Sequence, residues 1–346
     1  MINIILTIIL VHFIPVFLLG NVLDNSTLKK TGYVLKGKEV LGDAKNDGSD
    51  FSKGSEGDLG RCNLFPTVEP TTTYTPIRKK GIFDLKLWAG SSVAIDVDSG
   101  TLLHYDSGRK RTQIASLTKM MTAILAVERI KDLDEEIVIT GEALNVPGTV
   151  VGCPTSVLCT SNRMYKGEKV KAIDLLRVML LNSANDSATA LGIHIAGSSE
   201  KFTDLMNEKA KEMGLKDTHF CTPSGLEIDG QEDQCYSSAY DIARIAAYSL
   251  NYNLIWDIMR IPEGRFYSAD GKYMHEMKNT DLLLDSIPNC LGGKTGFTPM
   301  AGKSLLLGSV DPSGKHRIIA VVLNDENRWE DMRTLVSWIF GSYEWK

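Results

Sequence analysis

The sequence predicts an α+β domain whose sheet draws strands from both ends of the folded region. Three observations carry this. Residues 91–110, SSVAIDVDSGTLLHYDSGRK, read as two strands joined at the Asp98-Ser99-Gly100 turn. Two more apolar runs, 303–310 and 316–323, flank the turn Asp311-Pro312-Ser313-Gly314-Lys315. Between them lie helical patterns at 116–130, 171–182, 186–196, 199–213 and 238–250, so the C-terminal strands would complete the sheet and the α-rich middle would be an insertion. A last amphipathic helix, about 329–342, carries Leu335, Val336, Trp338, Ile339 and Phe340.

Ahead of this domain the chain changes character twice. Residues 1–20 contain no Asp, Glu, Lys or Arg and are long enough to span a bilayer, so they read as a signal peptide or an N-terminal membrane anchor. They lack a basic n-region and an A-x-A cleavage site. Residues 21–80 are rich in Gly, Asp, Lys and Ser without sustained apolar periodicity, the composition of a flexible linker, and PTVEPTTTYTP (66–76) is an extended lead-in. The folded domain is placed at 81–346. A net charge of −5, with no basic patch denser than Arg78-Lys79-Lys80, speaks against a nucleic-acid surface.

Six cysteines follow the apolar leader: Cys62, Cys153, Cys159, Cys221, Cys235 and Cys290. No spacing among them suits zinc, so no metal site is expected. An even count behind an export-like segment suggests disulfides, and fifteen pairings are open. Cys153–Cys159 and Cys221–Cys235 are the favoured pairs because each closes a short polar segment. Free buried thiols are the alternative.

Helix 116–130 poses a chemical question. Leu117, Met120, Met121, Ile124 and Leu125 make it a core helix, yet it opens with Ser116 and Lys119 one turn apart. Lysine is seldom buried without a partner. A serine hydroxyl is a poor nucleophile until a base takes its proton, and a desolvated lysine has its pKa lowered toward that role. A capping serine and a snorkelling lysine would give the same letters, so this pair alone decides nothing. Two further motifs change that. LLNSANDSATAL (180–191) sets Ser183 and Asn185 at a helix start, and CLGGKTGFTPMAG (290–302) sets Lys294-Thr295-Gly296 among small residues ahead of a strand. S-x-x-K, S-x-N and K-T-G in this order are the motif set of serine enzymes that react with penicillin.

Together with TPSGLEIDG (222–230), these segments resemble the serine D-alanyl-D-alanine carboxypeptidases, the low-molecular-mass penicillin-binding proteins, over about residues 84–343. The resemblance implies a β-lactamase/transpeptidase-like fold, with a five-stranded antiparallel sheet flanked by helices and an α-rich inserted region. It implies Ser116 as nucleophile, Lys119 as proton acceptor, and Ser183 and Asn185 as proton relay and substrate-amide contact. Lys294, Thr295 and Gly296 would line the substrate's carboxylate side. The backbone amides of Ser116 and Phe297 would form the oxyanion hole. Arg328, in VVLNDENRWED, resembles a carboxylate-contacting arginine by its spacing to the last helix; pairing with Glu326 or Asp331 is the alternative. Asn279 resembles a position that precedes the K-T-G strand.

The implied substrates are peptidoglycan stem peptides ending in D-Ala-D-Ala, with β-lactams as covalent inhibitors and no cofactor. The implied location is extracytoplasmic, secreted or held on the outer face of the cytoplasmic membrane through residues 1–20. On the same resemblance the chain would end with its catalytic domain, without the β-rich domain and amphipathic anchor found C-terminally in many relatives. Two other classes remain, a class A-like β-lactamase and a non-catalytic wall-binding module. The first needs a deacylating carboxylate, typically in an E-x-x-L-N segment that is absent between 186 and 290, and Glu227 lies in a context that matches the carboxypeptidases better.

Overall fold

The computed structural model describes residues 74–154 and 158–346. Residues 1–20, Cys62 and most of the predicted linker lie outside them. The chain enters through β1 (Pro76–Arg78), then β2 (Ser91–Asp96) and β3 (Leu102–Asp106). A 3-10 turn, Ala115–Thr118, leads into α1 (Lys119–Arg129). There follow β4 (Glu136–Val138), α2 (Gly141–Leu144), β5 (Lys169–Lys171), α3 (Ala172–Leu181), α4 (Asn185–Ala196) and α5 (Ser199–Glu212). Next come α6 (Ala239–Ser249), α7 (Asn253–Met259), β6 (Glu263–Tyr267) and β7 (Met274–Lys278). The chain closes with β8 (Cys290–Thr298), β9 (Gly302–Val310), β10 (Arg317–Leu323), α8 (Arg328–Ser342) and β11 (Tyr343–Trp345).

The main sheet is five-stranded and antiparallel throughout, in the order β3-β2-β10-β9-β8. β10, RIIAVVL, is apolar without alternation because a central strand is covered on both faces. Its Ile319 and Val321, with Leu306 of β9, face the core built on α1, α3 and α6. Ile318, Ala320 and Val322, with Leu305 and Leu307, face α8. The predicted fold class is therefore observed, with strands from both ends of the domain joined in one sheet.

Three expectations shift. Lys294-Thr295-Gly296, placed ahead of a strand, lies inside the nine-residue β8, paired with Leu306, Leu305 and Ser304. Pro76–Arg78, assigned to the linker, pair antiparallel with Tyr343–Trp345, so the folded region begins before residue 81. Helix 116–130 begins as a 3-10 turn. The turn winds three residues per revolution, which eclipses positions 116 and 119 more closely than an α-helix would.

Both favoured cysteine pairs, Cys153–Cys159 and Cys221–Cys235, are disulfides, and Cys290 is a buried free thiol. Among the described residues no helix is long and apolar enough to cross a membrane.

Candidate active site

The nucleophile turn is held by close backbone packing. Gly225, at φ +85°, lies so near that a Cβ would sit 1.9 Å from the Ala115 carbonyl oxygen. On the other side a Cβ on Gly296 would sit 2.9 Å from the Ile114 oxygen. Only glycine fits at either position, so the glycine of K-T-G is explained by contact with the turn carrying Ser116. Ala115 itself adopts φ +48°, a strained conformation for a residue with a Cβ. Behind the turn, Met120, Met121, Ala123 and Ile124 of α1 are fully buried and fix the position of Lys119.

Lys119 is 0% exposed. Its Nζ lies 2.8 Å from Ser116 Oγ, 2.8 Å from Asn185 Oδ1 and 2.7 Å from the Ser224 carbonyl oxygen. The last two atoms can only accept hydrogen bonds. A neutral amine has two N–H groups, which they occupy, leaving its lone pair for the Ser116 hydroxyl to donate to. Burial, and then the nearby Lys294 ammonium, hold the Lys119 pKa well below the ordinary lysine value. The geometry is suited to a general base beside a nucleophile.

Ser183 and Asn185 stand opposite. Ser183 adopts φ +62°, and this left-handed turn is pinned by Thr149, whose hydroxyl donates to the Ser183 oxygen at 2.9 Å. The Asn185 amide N–H donates to the Thr149 oxygen at 2.8 Å. The Asn185 side chain is engaged at both ends, accepting from Lys119 and donating through Nδ2 to the Pro147 oxygen at 2.7 Å. These two bonds fix the amide's orientation and leave its second Nδ2 hydrogen for a substrate carbonyl.

The second buried lysine, Lys294, is also 0% exposed and donates to Ser183 Oγ at 2.8 Å and to the Thr295 oxygen at 3.0 Å. Burial and then the Arg328 guanidinium push its pKa down to about 7, against the pull of Asp281. Thr295 Oγ1 shares a 2.7 Å hydrogen bond with Thr280 Oγ1. Asn279 brackets this segment structurally, donating to the Met259 and Ile261 oxygens and accepting from the Asp281 amide. Phe297 of β8 pairs with Lys303 of β9 and is 58% exposed.

Arg328, the first residue of α8, donates to the Gly296 oxygen at 2.9 Å and the Ser304 oxygen at 3.2 Å, which sets it beside the K-T-G segment. The acidic neighbours considered as alternative partners are engaged elsewhere. Glu326 pairs with Lys303, and Asp331 accepts from the Trp88 and Ala89 amides. The site residues named from the sequence thus fall into one cluster.

Sequence reasoning missed the backbone contributors, above all the Ser224 and Pro147 oxygens, which any residue type could supply. It also missed Thr149, whose hydroxyl gave no motif signal. Gly225 was visible in TPSGLE, but its contact with Ala115 was not. Glu227 accepts a hydrogen bond from the Thr298 hydroxyl.

A serine on a buried lysine, facing a second serine on a second buried lysine beside an edge strand, defines the serine active site of the penicillin-binding class. The chain matches the family described as D-alanyl-D-alanine carboxypeptidase over residues 78–327, and it belongs to that family. It is 31% identical to the D-alanyl-D-alanine carboxypeptidase DacD of Escherichia coli (strain K12), over 73% of this chain and 63% of that protein. It is likewise 31% identical to DacF of Bacillus subtilis (strain 168), over 74% and 63%. The chain thus spans less than two thirds of the length of these relatives. Among solved structures, it superposes on an evolved penicillin-binding protein homolog from Mycobacterium tuberculosis with a TM-score of 0.67 at 26% identity, over 77% of this chain and 96% of that one. Penicillin-Binding Protein D2 from Listeria monocytogenes, in its ampicillin-bound form, gives 0.63 at 27% identity, over 75% of this chain and all of that one.

Proposed function

We propose that this chain is a serine D-alanyl-D-alanine carboxypeptidase that removes the terminal D-Ala from peptidoglycan stem peptides through an acyl-enzyme on Ser116. The carrying observation is the 2.8 Å contact between Lys119 Nζ and Ser116 Oγ in a site where both other amine partners are obligate acceptors. The neutral amine takes the Ser116 proton as Oγ attacks the carbonyl carbon of the penultimate D-Ala. The developing oxyanion is stabilised by the backbone amides of Ser116 and Phe297. The proton passes from Lys119 to the departing D-Ala nitrogen through the Ser183 hydroxyl, and the C–N bond breaks. Water then gives a proton to Lys119 as its oxygen adds to the acyl carbon, and Ser116 leaves with that proton returned. Lys294, Thr295 and Arg328 hold the substrate's terminal carboxylate.

Two disulfides support action in an oxidising, extracytoplasmic compartment, with residues 1–20 as leader or membrane anchor. β-Lactams, which the ampicillin-bound Listeria protein accommodates, would acylate Ser116. The paired lysines and serines weigh against a non-catalytic wall-binding module. Glu227 accepts the Thr298 hydroxyl, and its TPSGLE setting matches the carboxypeptidases better than a β-lactamase. The separating experiment follows a penicilloyl adduct by intact mass over hours. The adduct should persist for minutes to hours while D-Ala-D-Ala peptides turn over; rapid multiple-turnover hydrolysis of penicillin would favour the β-lactamase.

A further inference from the structure

Behind the K-T-G strand lies a carboxylate that the mechanism above does not use. Asp281 is buried, and its Oδ1 accepts the Leu283 amide at 2.8 Å. Its Oδ2 is buried and accepts no hydrogen bond among the described residues. That oxygen lies against the backbone of Gly293, where a Cβ would stand 2.5 Å from it, one residue before Lys294. The adjacent Thr280 is hydrogen-bonded to Thr295, so the segment bearing Asp281 is tied to the middle residue of K-T-G. Arg328 shows a matching feature: its Nη1 is anchored on Gly296 and Ser304, but its buried Nε has no partner. A buried carboxylate with half of its acceptor capacity unused is costly unless cations stand near it.

We propose that Asp281 is a positioning residue for the carboxylate end of the substrate, the buried counter-charge behind β8 that holds Lys294 and Arg328 in place to receive that anion. The proposal rests on the carboxypeptidase reading and deepens it. Gly293 and Thr295 share the α8-facing side of β8 with Arg328, and Lys294 points through to Ser183 on the other side, so Asp281 backs the strand from which both cations act. The charged and titratable groups around Lys294 are Arg328 from α8, Asp281 from the segment before β8, and Lys119 from α1, with the Ser183 hydroxyl as hydrogen-bond partner. Those around Asp281 are Arg328, Lys294 and the Cys290 thiol. Of these, Asp281 is the one that favours a protonated Lys294, while burial and Arg328 oppose it. Arg328 also has the Asp325 and Glu326 carboxylates beside it, whereas Lys294 has Asp281 as its anion before substrate arrives. The peptide carboxylate then adds a second.

The test uses the full chain with its disulfides intact, as wild type, Asp281→Asn and Asp281→Ala. The pH dependence is measured for kcat/KM on a peptide ending in D-Ala-D-Ala and, separately, for the second-order acylation rate with a fluorescent penicillin, which carries its own carboxylate. Removing the anion lowers the Lys294 pKa, so the limb on which activity falls with rising pH should move to lower pH by about one unit in both variants. The loss should fall on KM rather than kcat, and a C-terminally amidated peptide should show little added loss. The position of a limb does not depend on the fraction of active protein, so partial misfolding leaves the readout intact. A falling limb at the wild-type pH in both variants overturns the proposal. If the wild type is acylated by penicillin but cuts no D-Ala-D-Ala peptide, the carboxypeptidase reading fails, while the acylation profiles still decide the role of Asp281.

Discussion

The two halves of the site present the same side chain under different constraints. Lys119 and Lys294 are both completely buried, and each lies 2.8 Å from a serine hydroxyl. Their surroundings differ. Lys119 sits at the start of a core helix, and two obligate acceptors take its N–H groups. Burial and a neighbouring cation depress its pKa, against the pull of Asp186. Lys294 sits on an edge strand with Arg328 on one side and Asp281 behind, and its pKa falls only to about 7. The first environment makes a neutral base, and the second leaves a titrating cation suited to an anionic group. Burial alone does not assign a role to a lysine; the partners of its protons do.

The comparison breaks most visibly at Lys119. Lys119→Ala should lower the penicillin acylation rate by about 10²–10⁴-fold, as expected for a lost general base, while the protein keeps its far-UV circular dichroism. An acylation rate within tenfold of wild type in stopped-flow fluorescence would place the base elsewhere. On the other half, Arg328→Ala should cost about 2–4 kcal/mol in kcat/KM for D-Ala-D-Ala peptides, and Arg328→Lys should recover only part. A C-terminally amidated peptide should be a poor substrate for the wild type and lose little more in the mutant. Unchanged steady-state kinetics with the free-acid peptide would leave the carboxylate to Lys294 and Thr295.

A smaller effect sharpens the role of the scaffold on the Lys119 side. Cys221–Cys235 closes the segment that delivers the Pro223 oxygen to Thr122 and the Ser224 oxygen to Lys119. The Cys221→Ser/Cys235→Ser double variant should lose about 2–3 kcal/mol of stability, read as a lower urea midpoint. It should also acylate more slowly than its folded fraction accounts for. Loss of stability with full acylation by the folded fraction would confine this disulfide to the fold.

The residues divide into those the sequence announces and those it hides, for a physical reason. Ser116, Lys119, Ser183, Asn185 and Lys294 were visible as side chains at helical or motif spacing, and the structure brings them within hydrogen-bond reach of one another. β8 was harder to see because CLGGKTGFT lacks the β-branched density of a strand; its glycines are there to admit Ile114 and Asp281 at close range. The β6–β7 hairpin and the β1–β11 pair were missed because they are short, five residues per strand and three, and carry weak alternation. The Ser224 and Pro147 oxygens were beyond reach because a backbone acceptor leaves no trace in composition.

The most direct test of the account is peptide mapping by mass spectrometry after reaction with a fluorescent penicillin across a pH series. One covalent adduct should form, on Ser116. It should be absent in Ser116→Ala, and its rate should rise with pH through a midpoint well below that of an ordinary lysine as Lys119 loses its proton. An adduct on another residue, or labelling that survives in Ser116→Ala, would contradict the assignment of the Ser116–Lys119 pair as the reacting centre.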